Sequence, residues 1–186
     1  MNFSKFALRT AVLALMATVG FGISIPAAST SLFAQDKKPA SPAATATATF
    51  DGITATVNYA QPSKKGREIF GKLVPFGEVW RTGANEATTL TLSGDAMIAG
   101  KAVKAGTYSL FTIPTKDKWT IIVNSTAKQW GAYEYKKDKD VLRVDVPSAA
   151  SKDAVEMFTI AFEKAEKGTT MTLAWDMTKV SVPMTK

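Results

Sequence analysis

Thr45-Ala46-Thr47-Ala48-Thr49-Phe50, then Asp51-Gly52, then Ile53-Thr54-Ala55-Thr56-Val57-Asn58-Tyr59 is the stretch that decides the fold. Both arms alternate with a period of two. Successive side chains on a strand point to opposite faces, so each arm has one apolar and one polar face. The Asp-Gly pair between them tolerates the positive φ angles of a tight type I′ turn. The segment therefore predicts an antiparallel hairpin.

The same signal continues outward along the chain. Leu90 and Leu92 alternate with threonines. Met97–Ala99 and Ala102–Val103 flank Gly100-Lys101, which reads as a second hairpin turn. Thr107–Ile113 and Trp119–Val123 are apolar on both faces, as central strands are. Alternation returns at Leu142–Val146, Phe158–Phe162, Met171–Trp175 and Val180–Met184. Turn residues recur at Ser93-Gly94-Asp95, Pro114, Asn124-Ser125, Pro147-Ser148, Lys167-Gly168 and Asp176. About nine or ten short strands with frequent turns predict an all-β domain, an antiparallel sandwich of jelly-roll type, over residues 45–186. Ser148–Val155 is the one candidate for a short helix. No internal repeat is present.

Upstream the pattern changes. Lys5 and Arg9 give a positive start, Ala11–Ile25 is apolar, and Pro26 and small polar residues lead to Ala34. Positive, apolar, then small and polar is the order of a secretory signal peptide, residues 1–34, cut after Ala34 or after Ala28. The alternative is an uncleaved anchor. A spanning helix needs about 20 mostly apolar residues, and this run is interrupted by Gly20, Gly22 and Ser24. No cysteine is present to carry a lipid, so no stable membrane insertion is expected after cleavage. Residues 35–44 hold two prolines and no large apolar side chain, the composition of a flexible linker. The expected location is exported, periplasmic or secreted.

Composition then narrows the chemistry. The chain has no cysteine and no histidine. That excludes disulfides, thiol catalysis, thiolate and imidazole metal sites, the Ser-His-Asp triad and histidine general bases. The net charge is +7, and removing Lys5 and Arg9 leaves +5, with lysines spread along the chain. A basic exterior attracts anionic glycans or headgroups. No nucleic-acid motif is present, so nucleic acid is not an expected partner. No phosphate-cradling glycine loop or dinucleotide fingerprint occurs, so no cofactor is expected.

The least generic segment runs from Gly66 to Thr88. It contains Arg67 with Phe70-Gly71, Leu73-Val74-Pro75, and Trp80-Arg81-Thr82-Gly83-Ala84-Asn85-Glu86-Ala87-Thr88. With Ala105–Phe111, Ile113-Pro114 and Trp119 to Asn124, this resembles the exported bacterial family catalogued as domain of unknown function 2911. The resemblance covers most of residues 50–184. It implies an exported β-rich domain and supplies no activity, ligand or catalytic residue.

The residues allow a physical reading of their own. Gly66–Gly77 is too irregular for a strand and too glycine-rich for a helix, so it reads as a structured loop. Phe70, Leu73, Val74 and Phe76 are the expected plugs into the sheet edge, with Trp80 buried behind them. Arg81 offers a rigid five-donor fork for carboxylate, phosphate or sugar hydroxyls. Asn85 donates and accepts, and Glu86 accepts. With Trp80 and Arg67 these form a candidate site for an oxygen-rich ligand, a glycan or an organic acid. The competing reading pairs Arg81 with Glu86, Glu78 or Glu68 and uses Asn85 to hold loop backbone.

A second candidate is the aromatic patch Trp130, Tyr133 and Tyr135, which suits stacking on sugar rings or, alternatively, capping of a sheet edge. Asp138-Lys139-Asp140 lacks the rest of a calcium loop and reads as a solvated turn. The expected function is a non-catalytic binding or interaction domain of the cell envelope, with no catalytic or metal-binding residues. The rivals are a hydrolase of envelope glycans using Glu78 and Glu86, and a purely structural partner of another envelope protein.

Overall fold

A computed structural model describes residues 40–186. The expected signal peptide, 1–34, and the first linker residues, 35–39, lie outside the described residues. Nine strands follow: β1 (Ala43–Phe50), β2 (Ile53–Ala60), β3 (Thr88–Leu92), β4 (Ala96–Ile98), β5 (Lys101–Val103), β6 (Gly106–Pro114), β7 (Lys118–Asn124), β8 (Asp140–Lys164) and β9 (Thr169–Thr185). Strand β1 begins two residues inside the stretch read as linker. Among the described residues the only helical element is a single 3-10 turn, Lys137–Lys139.

The strands form one antiparallel sheet in the order β1-β2-β3-β6-β7-β8-β9-β4-β5. The opening hairpin is built as its sequence dictates. Phe50 faces Ile53, and Asp51 and Gly52 take φ of 48° and 79°. The second hairpin turns one residue earlier than expected. Its turn residues are Ala99 and Gly100 (φ 45° and 78°), and Lys101 already pairs with Ile98. That register turns Ile98 and Val103 inward, where both are buried.

Two pairs of sequence segments prove to be single long strands. Leu142–Val146 and Phe158–Phe162 both lie in β8, and Met171–Trp175 and Val180–Met184 both lie in β9. Strand β8 pairs with β7 through Pro147, then with β9 from Ser148 to Lys164. Its register with β9 shifts between Ala150 and Val155, so Ser148–Val155, the expected short helix, is extended and bulged instead. A bulge adds a bend without ending hydrogen bonding. Strand β9 turns at Asp176, whose φ is 53°. Beyond that turn the strand comes back on itself, because Gly168 at one end lies against Met184 near the other.

The bends let both halves of the sheet share one core. Ala55, Val57, Leu90, Leu110, Ile121 and Val123 from the first half are fully buried with Phe158, Met171, Leu173, Val180, Val182 and Met184 from β8 and β9. Tyr59 stitches the halves directly. Its hydroxyl donates to the Ile160 carbonyl (3.2 Å) and accepts from the Ile160 amide (3.0 Å), and its ring meets Phe158 edge-on. Strands β6 and β7 are buried on both faces, as expected. Their outer face holds a second, smaller cluster of Phe111, Ile122 and Ala87, flanked by Val79 and Tyr135.

Candidate functional site

Residues 61–87 contain no strand, only isolated bridges and turns. The expected loop is present, but its plugs differ. Ile69 is fully buried, Val74 nearly so, and Phe70 packs against the core, whereas Leu73 and Phe76 are exposed. The chain closes on itself between Ile69 and Val74, with Val74 N donating to Ile69 O at 2.9 Å and Gly71 N to Val74 O at 2.8 Å. The closure turns Ile69, Phe70 and Val74 inward and leaves Leu73 and Phe76 exposed.

The segment Trp80–Thr88 is braced from within. Trp80 exchanges both backbone hydrogen bonds with Thr112 of β6. Its indole N–H donates to the Gly83 carbonyl at 3.1 Å. The Thr88 hydroxyl donates to the Thr82 carbonyl at 2.6 Å, and the Thr82 hydroxyl lies 3.1 Å from that of Thr112. Both threonines are fully buried. Gly83, at φ 156°, lies so close to Ala60 O and Thr88 Oγ1 that a Cβ there would be 3.0 and 3.1 Å from them. Thr82 and Asn85 are held at positive φ (55° and 61°). The turn is thus fixed backbone first, and Arg81 is presented from a rigid frame.

Around it lies a pocket of about 500 Å³. Lys65, Arg67 and Arg81 line it, with Trp80, Trp175 and Asn85, and no carboxylate is in the lining. Among the described residues Arg81 makes no ion pair; the competing partnership with Glu68, Glu78 or Glu86 does not form. Its Nε is buried without a hydrogen-bond acceptor. A buried donor left unmade costs free energy, about 1–3 kcal/mol and more for a charged group. Arg67 spends part of its guanidinium on backbone, donating to Lys64 O (3.0 Å) and Ser63 O (2.5 Å). The neighbouring Lys64 is neutralised by Asp176 at 2.5 Å.

Four of the five expected residues, Trp80, Arg81, Asn85 and Arg67, therefore share one pocket. Glu86 does not join them. It lies in an adjoining cleft with Trp130, to which it is bridged antiparallel. Glu78 is exposed and lines neither pocket, so the two glutamates are not brought together as an acid–base pair. Sequence reasoning missed Lys65 and Trp175. Lys65 sits at positive φ (48°) beside Gly66, a turn signal legible in the sequence; Trp175 comes from β9 and lines the site stacked on Trp80.

The aromatic patch does not hold together. Trp130 and Tyr133 are exposed, at 61% and 85%. Tyr135 instead turns in against Phe111 (ring centroids 5.1 Å apart). Its hydroxyl donates to Asp140 Oδ2 at 2.6 Å, and Arg143 Nη1 donates to both that hydroxyl (2.7 Å) and Asp140 (2.9 Å). Asp140 also accepts from Asn124 Nδ2 at 2.9 Å. Asp140 is therefore a buried anchor rather than part of a solvated turn; its side chain is 4% exposed. Burial of the phenol, then its bond to Asp140, push the Tyr135 pKa up to about 12.

An unfolded tyrosine titrates near 10. The folded value is the higher, so this contribution to stability is complete below about pH 10 and is lost as pH rises toward 12. Absorbance at 295 nm should show a phenol titrating late, and Tyr135→Phe should reduce that late phase by the amplitude of one phenol. A late phase that is the same size in Tyr135→Phe as in the wild type would refute the assignment.

The family model described as "Protein of unknown function (DUF2911)" matches residues 41–184. That span holds every strand residue but Thr185 and every lining residue of the two pockets but Ala40. The chain belongs to this family. No curated protein and no solved structure matches it. In this DUF2911 domain the Trp80–Thr88 motif carries two kinds of residue: Trp80, Thr82, Gly83 and Thr88 build the turn, and Arg81 and Asn85 face the pocket.

Proposed function

We propose that this protein is an exported, non-catalytic binding domain that takes an anionic, oxygen-rich solute in the pocket of Lys65, Arg67 and Arg81. The observation that carries the reading is the Arg81 guanidinium, held by a braced turn with its Nε buried and unpartnered, in a pocket lined by two further cations and no carboxylate. A carboxylate or phosphate in the pocket supplies the counter-charge that Lys65, Arg67 and Arg81 lack there. Guanidinium binds either group through two parallel hydrogen bonds, which adds orientation to attraction. Trp80 and Trp175 give the pocket an apolar floor, and such mixed linings suit small ligands. The signal-like order of residues 1–34 supports export.

Thermal shift of the purified protein with phosphate, citrate and glucuronate tests this. A ligand at 100 times its Kd stabilises the folded state by about 2.7 kcal/mol, which for a domain of this size raises Tm by about 5–10 °C. At least one anion should do so, less strongly at high salt because the pocket opens to solvent. Arg81→Gln should abolish the shift without lowering the ligand-free Tm by more than about 2 °C, since the Arg81 side chain makes no ion pair and its Nε no hydrogen bond. An equal shift in Arg81→Gln, or no shift with any anion, would overturn the proposal.

A further inference from the structure

Ala84 and Asn85 line two cavities at once. On one side is the cationic pocket; on the other is a cleft of about 550 Å³. The cleft is lined by alanines, among them Ala43, Ala60 and Ala87, and by the ring of Trp130. Trp130 is held in place by its backbone bridge to Glu86 and by the neighbouring bond from Ala87 N to Gln129 O at 3.0 Å. The polar groups of the lining are Thr45, Asn58, Asn85, Glu86 and Thr89, with the Tyr59 hydroxyl already bonded to Ile160. Thr45 donates to Asn58 Oδ1 at 2.8 Å, which fixes the amide and leaves its N–H groups available.

Small flat side chains, one large exposed indole and a few hydrogen-bonding groups match a particular ligand shape. A pyranose ring has an apolar C–H face and a rim of hydroxyls that both donate and accept. Its face stacks on an indole, and its rim bonds to amide and carboxylate groups. Glu86 accepts from hydroxyls, and Asn58 donates to them. The cationic pocket across a wall only two residues wide calls for a negative charge next to that ring.

We infer that the two cavities are adjoining subsites for one acidic glycan, with a sugar ring on Trp130 and a carboxylate or phosphate of the next unit on Arg81. This inference rests on the anion-binding reading above and adds the ligand class. Two subsites joined in one ligand gain from effective concentration, so affinity should exceed that of either part.

The test uses calorimetry and tryptophan fluorescence with four probes: inorganic phosphate, a short oligogalacturonide, a neutral oligosaccharide of the same length, and AMP. The acidic oligosaccharide should bind at least about tenfold tighter than phosphate or the neutral sugar. Trp130→Ala should erase that advantage and leave phosphate binding unchanged. Since Trp130 is largely exposed, its removal should not unfold the protein. Arg81→Gln should weaken phosphate and the acidic oligosaccharide together. If phosphate and oligogalacturonide bind alike and Trp130→Ala changes neither, the glycan inference fails while the anion pocket stands. If no anion binds, both fail. If AMP binds tightest and depends on both residues, the occupant is a nucleotide and the glycan inference is overturned.

Discussion

Trp80→Ala is expected to lower stability by about 3–5 kcal/mol, the range for deleting a large buried aromatic. Trp80 sits at the middle of an aromatic cluster. Its ring stacks on Trp175 at 5.9 Å and meets Phe158 at 4.9 Å, Trp119 at 6.0 Å and Phe70 at 6.2 Å edge-on. Each such pair contributes about 0.5–1.5 kcal/mol beyond area burial. The neighbours come from the loop, β7, β8 and β9, so no single element can close the resulting cavity. The Gly83 carbonyl would also lose its indole donor. Domains of this kind hold about 5–15 kcal/mol in total, so the variant should fold but melt early. Urea denaturation should show a lower midpoint with an unchanged slope. A loss under about 1.5 kcal/mol would mean the cluster repacks. Trp80→Ala should also weaken anion binding, because the indole lines the cationic pocket, whereas Arg81→Gln should weaken binding alone. That contrast separates the frame of the motif from its functional side chain.

The second large effect is expected at Gly168, in the turn between β8 and β9. Its φ is 70°, where alanine costs about 1–2 kcal/mol. A Cβ there would also run into the Met184 carbonyl oxygen and lie 3.0 Å from Thr185 Cα. Both obstacles are backbone of a strand paired with β4, so neither can rotate away. Overpacking adds about 1–3 kcal/mol, and Gly168→Ala should lose about 2–5 kcal/mol in all. Gly52→Ala and Gly100→Ala are the controls. Their φ values are 79° and 78°, yet a Cβ at either would meet nothing within 4 Å. Each should show the conformational cost alone. If all three variants lose the same amount by urea denaturation, the close approach of Gly168 to Met184 is wrong.

That approach explains where sequence reading stopped. Alternation located part of every strand, because burial on one face forces a period of two. It could not show that Leu142–Val146 and Phe158–Phe162 are one strand. Pro147-Ser148 and Asp176 look like terminators, yet here they sit in strands that bend while pairing continues. A turn residue records a local dihedral preference, not whether hydrogen bonding resumes beyond it. The same limit applies to the site. Trp80, Arg81, Asn85 and Arg67 are near in sequence and stood out by chemistry. Trp175 lies almost a hundred residues away and reaches the pocket only because the core stacks it on Trp80. Glu86 was grouped with Arg81 by proximity, but the positive φ of Asn85 sends the chain the other way. Tyr135 reads as a surface aromatic because its ring partner, Phe111, comes from β6 and its polar partners, Asp140 and Arg143, from the start of β8.

The long strands also set the timetable of folding. Strand β4 finds its outer neighbour β5 within a few residues, but its inner neighbour is β9, through Met97 with Thr185 and Ile98 with Met184. Phe158, Met171, Leu173, Trp175, Val180 and Val182 complete a core whose opposite wall is made of residues about a hundred positions earlier. Pairings so distant along the chain are slow to form. Until those last residues dock, the face made by β2, β3, β6 and β7 has no cover of its own.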